Sequence, residues 1–223
     1  MTTDVIIRPY QKEDRTSIVD ICAETGLLGE DIGPVFSHRK LFGQMITNYY
    51  VKREVPNAFV AESEGEVVGY FIGSTNRFAK PRMVLDAIPP TLKAIYNQLS
   101  GFYEFNPQNA EFLKWLVFRA SSEMPATPKN AIHGHFNLRD GFRNEGLGTK
   151  MLHAFLEGAL PVIEKRGITH LYGEVFAHKD KPEDYFLDAG FDTYDRKLST
   201  LFQDAVEGPV CALCITKPLA KLL

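Results

Sequence analysis

The residues that could do chemistry are concentrated in one loop, Arg143-Asn144-Glu145-Gly146-Leu147-Gly148-Thr149, which follows a predicted strand and precedes a predicted helix. Backbone N–H groups at the start of a helix have no partner within the helix, and the helix dipole adds positive potential there. Gly146 and Gly148 allow the backbone to approach an anion closely, and Arg143 can form paired hydrogen bonds with it. The loop therefore predicts a diphosphate site. The alternative is an ordinary strand-to-helix loop whose glycines only turn the chain.

Two widespread phosphate motifs are excluded by their spacing. Only Gly146-x-Gly148 follows Gly141, so the dinucleotide fingerprint Gly-x-Gly-x-x-Gly is incomplete. The sequence also lacks the lysine that Gly-x-x-x-x-Gly-Lys-Ser/Thr requires after its second glycine. The loop therefore belongs to neither of these two motifs.

The elements that must position this loop form a strand–helix–strand pattern. Residues 132–138 alternate as a strand, and the following helix carries one apolar face from Leu147 to Leu160. A strand at 170–176 and a short helix at 182–188 come next. Strands at 5–9, 58–62, 67–74, 191–201 and 210–216 complete the set. The pattern predicts a mixed α/β (α+β) sheet.

Composition limits the class of protein. The chain has 223 residues, 44% of them hydrophobic and 24% charged, with a net charge of −3. This mix is typical of a globular protein, and it lacks the basic footprint of a nucleic-acid binder. We find neither the roughly 18 consecutive apolar residues of a membrane span nor a signal-peptide pattern. Three cysteines are too few for a disulfide framework, so we expect a cytoplasmic location. From the charge and the absence of a long apolar run, we expect no nucleic-acid partner and no membrane partner.

Residues 77–129 are the least strand-like part of the chain, and we expect a helical insertion there within a single domain of 1–223. Pro89-Pro90 is expected to open one helix, and Asn109 is expected to cap another. The second of these helices is apolar nearly all round. It is therefore expected to be buried, or to line a ligand site or the contact of a homodimer.

The loop resembles a family signature. Arg143-x-x-Gly146-x-Gly148 matches the Arg/Gln-x-x-Gly-x-Gly/Ala motif of the GNAT acyltransferases. Residues 6–9, 59–70, 167–175 and 189–191 resemble that family's first three strands, its fifth strand and the end of its fourth helix. More narrowly, His133-x-His135-Phe136-Asn137-Leu138 looks like a strand of bacterial members related to the acetyltransferase-like domain of O-GlcNAcases. The resemblance implies a central mixed, mostly antiparallel sheet of about seven strands flanked by helices, with the insertion between strands three and four.

The resemblance also implies acetyl-coenzyme A as co-substrate. Leu138 would offer backbone hydrogen bonds to the pantetheine arm, as an added strand would. Arg139 and the following loop would surround the pyrophosphate; the loop residues are Arg143, Asn144, Glu145, Gly146, Leu147, Gly148 and Thr149. No metal is expected, because Cys211 and Cys214 lie three apart on one strand and so face opposite sides.

The implied activity is transfer of an acetyl group to a primary amine by direct attack within a ternary complex. The family's thiolate acid, a tyrosine four residues before a glycine, falls on Phe186, and Tyr185 is the neighbouring hydroxyl. The alternative is a coenzyme A-binding pseudoenzyme or regulatory module. It is favoured by Phe186 and by Asn137, which stands where the related strand has aspartate and cannot act as a base. The acceptor, a small molecule or a protein amine, is not indicated.

Three residues are candidates for the base that deprotonates the amine. His133 and His135 share one face of the predicted strand with Asn137, and histidine titrates near neutral pH. The alternative for both is a polar strand residue satisfied by hydrogen bonds. Glu174 is the third candidate, and a structural role in its strand is the more common outcome for such a residue.

Overall fold

A seven-stranded sheet with the order β1-β2-β3-β4-β5-β7-β6 organises the chain in the computed structural model, which describes residues 4–101, 104–143 and 146–222. The strands are β1 (Val5–Pro9), β2 (Ala58–Ser63), β3 (Glu66–Ser74), β4 (Ala131–Leu138), β5 (His170–Ala177), β6 (Asp192–Ser199) and β7 (Val210–Pro218). β4 and β5 are parallel, and every other neighbouring pair is antiparallel. The predicted mixed, mostly antiparallel sheet is confirmed.

Helices cover both faces of this sheet. They are α1 (Arg15–Glu24), α2 (Arg39–Arg53), α3 (Ala79–Leu99), α4 (Pro107–Lys114), a π-helical turn (Trp115–Arg119), α5 (Ala120–Glu123), α6 (Leu147–Arg166) and α7 (Glu183–Asp188). Short 3-10 turns lie at Lys12–Asp14, Val55–Asn57 and Leu219–Lys221. Alternate residues of β3 point to opposite sides, so Tyr70 and Ile72 join the core beneath α1 and α2, whereas Phe71 joins the core beneath α6. A bulge opposite Ala61 and Glu62 shifts this alternation, so Val68 also joins the core beneath α6.

The packing of α6 fixes where that helix begins. Its buried residues form one stripe, with steps of three or four positions except for the adjacent Phe155 and Leu156: Leu147, Met151, Phe155, Leu156, Ala159 and Ile163. A side chain at Gly73 of β3 would collide with the Phe155 ring, so the glycine lets the helix lie close to the sheet. As a result, the first turn of α6 is held beside the end of β4.

The helices between β3 and β4 differ from the sequence prediction at their starts. α3 begins at Ala79 and runs through Pro89 and Pro90, although an interior proline removes a helical hydrogen bond. The prediction that these prolines open the helix was wrong, since packing of α3 against α2 overrides the local signal. α4 is capped by Asn106 rather than Asn109. Asn109 instead accepts the Ser37 N–H, at 2.8 Å.

The described residues contain neither a membrane-spanning helix nor a grouping of metal ligands. Over 4–101, 104–143 and 146–222, no helix is long and apolar enough to cross a bilayer. In the same ranges, no three His, Cys, Asp or Glu side chains are grouped as a metal site needs. Cys22, Cys211 and Cys214 are free thiols.

Candidate active site at the split between β4 and β5

The sheet opens between its two parallel strands. β4 and β5 pair only where Ala131–His133 lies beside His170–Tyr172. Beyond this point β4 continues along β3 and β5 continues along β7. Residues 134–138 and 173–177 therefore border a wedge that widens toward the C-terminal ends of both strands. An extended ligand can enter such a wedge as an added strand.

β4 directs backbone groups into this wedge. The Arg139 N–H donates to the Val68 carbonyl at 2.9 Å, on the β3 side. In an antiparallel pair, alternate residues bond to the neighbouring strand. The N–H and C=O groups of Phe136 and Leu138 therefore point away from β3, toward β5. This orientation is the one that a backbone contact at Leu138 requires.

The N-terminus of α6 lies at the open end of the wedge. Gly146 caps the helix with φ 71° and ψ 9°, a left-handed conformation in which a side chain is strained. The first helical hydrogen bond runs from the Lys150 N–H to the Gly146 carbonyl. No described residue accepts from the amides of Leu147, Gly148 and Thr149. Three amide donors and the positive end of the helix dipole together suit an anion.

Arg143 brings a positive charge to this helix start. Its Nη2 donates to the Gly29 carbonyl at 2.6 Å, and its Nε donates to the Leu138 carbonyl at 3.4 Å. No carboxylate in the described part of the chain forms an ion pair with it. The guanidinium therefore ties the α1–α2 loop to β4 and still keeps its charge for a ligand.

Arg139 has a different environment. Its Nε and Nη2 donate to the Glu24 carboxylate at 2.9 and 3.3 Å, and its Nη1 donates to the Val67 carbonyl. The hydrogen bond to Glu24 raises the pKa of Arg139, as its charge is already compensated. A phosphate contact at Arg139 would have to compete with this ion pair. Asn144 and Glu145, two further predicted ligands, lie outside the described residues.

A second cation that the sequence analysis did not single out is Lys181, in the turn between β5 and α7. Two backbone hydrogen bonds between His178 and Lys181 fix that turn. Burial lowers the pKa of Lys181, and the positive charge of Arg143 lowers it further. No described carboxylate pairs with Lys181, whereas the neighbouring Lys179 pairs with Glu207 at 2.9 Å. Two like charges near each other without an acidic partner indicate a place for an anion.

His135 lies on β4 just beyond the last residue that pairs with β5. Its Nε2 is 3.0 Å from the Tyr70 hydroxyl, and the Asn137 side-chain amide donates to the same hydroxyl at 2.9 Å. Burial lowers the pKa of His135 to about 4. The imidazole is therefore neutral at pH 7, and His135 is partly exposed. Neutrality and access are what a proton acceptor needs, whereas a pKa of about 4 makes the imidazole a weak base.

His133 is more enclosed. It is 5% exposed, and its Nδ1 lies 2.5 Å from the Tyr50 hydroxyl. Its ring packs against Tyr172, with ring centroids 4.8 Å apart. Burial, with smaller contributions from the neighbouring His135 and from Lys80, lowers its pKa to about 3. The structure places His133 and His135 on one face of β4 beneath α1 and α2, as the alternation predicted, but only His135 lies within the wedge.

Glu174 extends from β5 and forms an ion pair with Lys80 of α3 at 3.2 Å. The Lys80 ammonium also donates to the Pro125 carbonyl. This pair links the β5 strand to the helical segment between β3 and β4. Such a contact suits a structural role for Glu174 better than a proton acceptor with free lone pairs.

The two aromatic residues of α7 have different positions. Phe186 is buried against Ala177, Leu213 and Ile215, so the family's tyrosine position is a core residue here. Tyr185 is 52% exposed, and the Lys181 ammonium lies 4.6 Å from its ring centroid. Because Lys181 lies near Arg143, Tyr185 belongs to the same end of the wedge.

A seven-stranded sheet split between β4 and β5, with a glycine loop and a helix N-terminus at the split, defines the fold of the GNAT acetyltransferases. No family model and no curated protein sequence matches the chain. SsHAT aligns with a TM-score of 0.61 at 21% identity, over 96% of this chain and 98% of its own. A polyamine N-acetyltransferase from Drosophila melanogaster gives 0.54 at 12% identity, over 96% and 100%. The protein yncA from Salmonella typhimurium, solved with its cofactor acetyl-CoA, gives 0.51 at 13% identity, over 96% and 94%. The predicted GNAT fold is confirmed.

Proposed function

We propose that this protein transfers an acetyl group from acetyl-coenzyme A to a primary amine in a ternary complex. The observation that carries the proposal is that an unpaired strand edge ends at a candidate anion site. The edge consists of residues 134–138 of β4, and the anion site consists of the α6 amides with Arg143 and Lys181. A strand-like arm that carries a diphosphate at one end matches this order of groups.

The residues present fit acetyl-coenzyme A. The N–H groups of Phe136 and Leu138 and the C=O group of Phe136 suit the amides of a pantetheine arm, whereas the Leu138 C=O group already accepts from Arg143 Nε. The amides of Leu147, Gly148 and Thr149 suit the pyrophosphate, with Arg143 supplying charge. When bound, the co-substrate supplies an acetyl thioester, which an amine can attack directly.

His135 is our candidate for the group that accepts a proton from the attacking amine. Its neutral imidazole borders the wedge on the face covered by α1 and α2. The Tyr70 hydroxyl at Nε2 orients the ring, and Asn137 in turn holds that hydroxyl. His133 and Tyr50 form a corresponding histidine–tyrosine pair two residues earlier on β4, where β4 pairs with β5. In this proposal His133 packs beside the site and does not accept the proton.

Tyr185 is our candidate for the donor of a proton to the departing thiolate. Phe186 has no hydroxyl and is buried, so it is excluded from that role. The Lys181 ammonium beside the Tyr185 ring stabilises a developing phenolate after the proton has moved. Water is the competing donor, because Tyr185 is half exposed.

The acceptor in this proposal is an amine, either of a small molecule or of a protein. An amine agrees with the name of the Drosophila neighbour, polyamine N-acetyltransferase, whose fold this chain shares. The three free thiols favour a reducing compartment, and we propose the cytoplasm.

A coenzyme A-binding protein without acetyl transfer is the second candidate. It is favoured by the burial of Phe186 at the position of the thiolate acid and by Asn137 in place of a carboxylate. In this case the wedge and the anion site keep their ligand, whereas His135 has only a structural role.

Calorimetry and a turnover assay together test these proposals. The chain is titrated with acetyl-coenzyme A, and free thiol release is then followed against a panel of diamines, polyamines and lysine peptides. Binding together with thiol release supports acetyl transfer. Binding without release from any amine supports the second candidate. Absence of binding in a folded sample contradicts both.

A further inference from the structure

α3 carries large apolar side chains on its outward side as well as toward the core. Met83, Ala87 and Ile95 are partly buried and pack against the core. Its fully buried residues are small or polar: Ala79, Asp86, Pro90, Ala94, Asn97 and Gln98. Its outward residues include five large apolar side chains, which we call the α3 stripe: Leu85, Ile88, Leu92, Tyr96 and Leu99, between 43% and 75% exposed. A helix normally buries its apolar side, so the stripe indicates a surface that another molecule covers.

The inward face of α3 already has its partners. Arg53 of α2 donates to the Asp86 carboxylate at 2.6 Å, and the Gln98 side-chain amide donates to the Asn106 carbonyl at 2.7 Å. Rotating α3 to bury the stripe would break these bonds and expose the groups that make them. Because an unpaired buried polar group is costly, the helix is held with its apolar side outward.

The spacing of the stripe favours a second copy of this chain as the occupant. From Leu85 to Leu99, successive residues of the stripe are three, four, four and three positions apart. This spacing is the same in both directions from Leu92. Two antiparallel α3 helices on a two-fold axis at Leu92 therefore place Leu85 of each copy against Leu99 of the other. The same axis places Ile88 against Tyr96, and Leu92 against itself. Such self-complementarity is what an isologous interface requires.

Charge and area agree with this occupant. Within residues 84–99 only Asp86 and Lys93 are charged, and Asp86 is paired with Arg53. Little remains on the stripe to repel a second copy or to attract an anionic lipid surface. The five side chains expose roughly 600 Å² per copy, against about 800 Å² per partner in a stable interface. Val84, 62% exposed, lies beside the stripe and adds to it.

We propose that the α3 stripe is the interface of a homodimer, with two copies of α3 packed antiparallel about a two-fold axis at Leu92. The stripe lies on the helical segment between β3 and β4, and dimerisation through it does not depend on the proposed acetyl transfer.

The first test is the mass of the full chain in solution. One chain is 25.1 kDa, so light scattering coupled to size exclusion should give twice that value at micromolar concentration. Leu92→Glu places two carboxylates on the axis and should give a monomer with an unchanged circular dichroism spectrum. Leu198→Glu on β6, where the leucine is 63% exposed, is the matched control and should stay dimeric.

Cysteine cross-linking tests the direction of packing. Leu92→Cys should form a disulfide-linked dimer on oxidation, and a mixture of Leu85→Cys and Leu99→Cys should form the mixed dimer. Cross-linking of Leu85→Cys with itself would overturn the antiparallel arrangement. A wild-type chain that stays monomeric to about 100 µM would overturn the dimer itself. Co-flotation of that monomer with phosphatidylcholine vesicles, lost in Leu92→Glu, would assign the stripe to a lipid surface instead.

Discussion

Gly146 offers a direct test of the anion site, because Asp and Asn at this position differ only in charge. Both residues tolerate the left-handed conformation better than other side chains do, and no described atom lies within 4 Å of an added Cβ. Both substitutions therefore share a strain of roughly 1 kcal/mol in the folded chain. Their difference in acetyl-coenzyme A affinity reports the charge near the amides of Leu147 and Gly148.

The size of that difference follows from Coulomb's law. A carboxylate at Gly146 would lie about 5 Å from a phosphate held by the first α6 amides, where two unit charges repel by about 1 kcal/mol in water and about 3 kcal/mol at a protein surface. We therefore expect Gly146→Asp to raise the Kd roughly 10- to 100-fold above that of Gly146→Asn. The carboxylate should at the same time stabilise α6, by about 0.3–1 kcal/mol, through the helix dipole. Affinity and stability then change in opposite directions, so partial unfolding cannot account for the loss.

Isothermal titration calorimetry at low and high salt measures the effect. The gap between the two variants should shrink at about 0.5 M salt, since screening shortens the range of the repulsion. Gly167→Asn strains the left-handed glycine at the other end of α6 and should leave affinity unchanged. Equal affinities of Gly146→Asp and Gly146→Asn at low salt would refute the assignment of the phosphates to this helix start.

Four further results are expected. Lys181→Met should raise the Kd of acetyl-coenzyme A about tenfold and flatten its salt dependence, whereas Lys179→Met should change neither; equal effects would show a general loss of charge. His135→Gln should lower kcat by about 10²–10⁴-fold at unchanged acetyl-coenzyme A affinity, and full activity would remove His135 as the base. Tyr185→Phe should lower kcat by about 10²-fold, and an unchanged rate would assign the thiolate proton to water. His133 has a pKa of about 3 in the folded chain, below its unfolded value, so the free energy of unfolding should be full above pH 6.5 and fall by about 2 kcal/mol at pH 5. Urea unfolding of His133→Gln should show a smaller loss between these pH values, and an equal loss would assign the titration to another group.

The strand–helix–strand pattern and the Arg143-to-Gly148 motif were readable from the sequence because both depend on neighbours in the chain. Alternation along β4 put His133, His135 and Asn137 on one face, and the helical spacing after Gly146 marked the buried side of α6. These periods are set by backbone geometry, which is the same in every protein. The order and type of the elements predicted a mixed α/β sheet, and the resemblance of the Arg143-to-Gly148 motif and its flanking strands to the GNAT family implied the particular fold.

Contacts between distant residues had no such local signal. The sequence did not indicate that Lys181 would lie near Arg143, that Glu24 would pair with Arg139, or that the Phe186 ring would be buried. Each of these depends on how the ends of β4 and β5 separate and on which side of α7 meets the core. The free energy of these ion-pair and packing contacts is gained only after the whole sheet has formed.

The helices between β3 and β4 show most clearly where prediction from the sequence fails. Pro89-Pro90 is a local signal for the start of a helix, yet α3 begins at Ala79, because its contacts with α2 outweigh the lost helical hydrogen bonds. The apolar spacing of Leu85 to Leu99 was present in the sequence, but periodicity alone predicts that such a side is buried within the chain. The tertiary structure places this apolar side of α3 outward, because Asp86 and Gln98 on the opposite side form hydrogen bonds with Arg53 and Asn106.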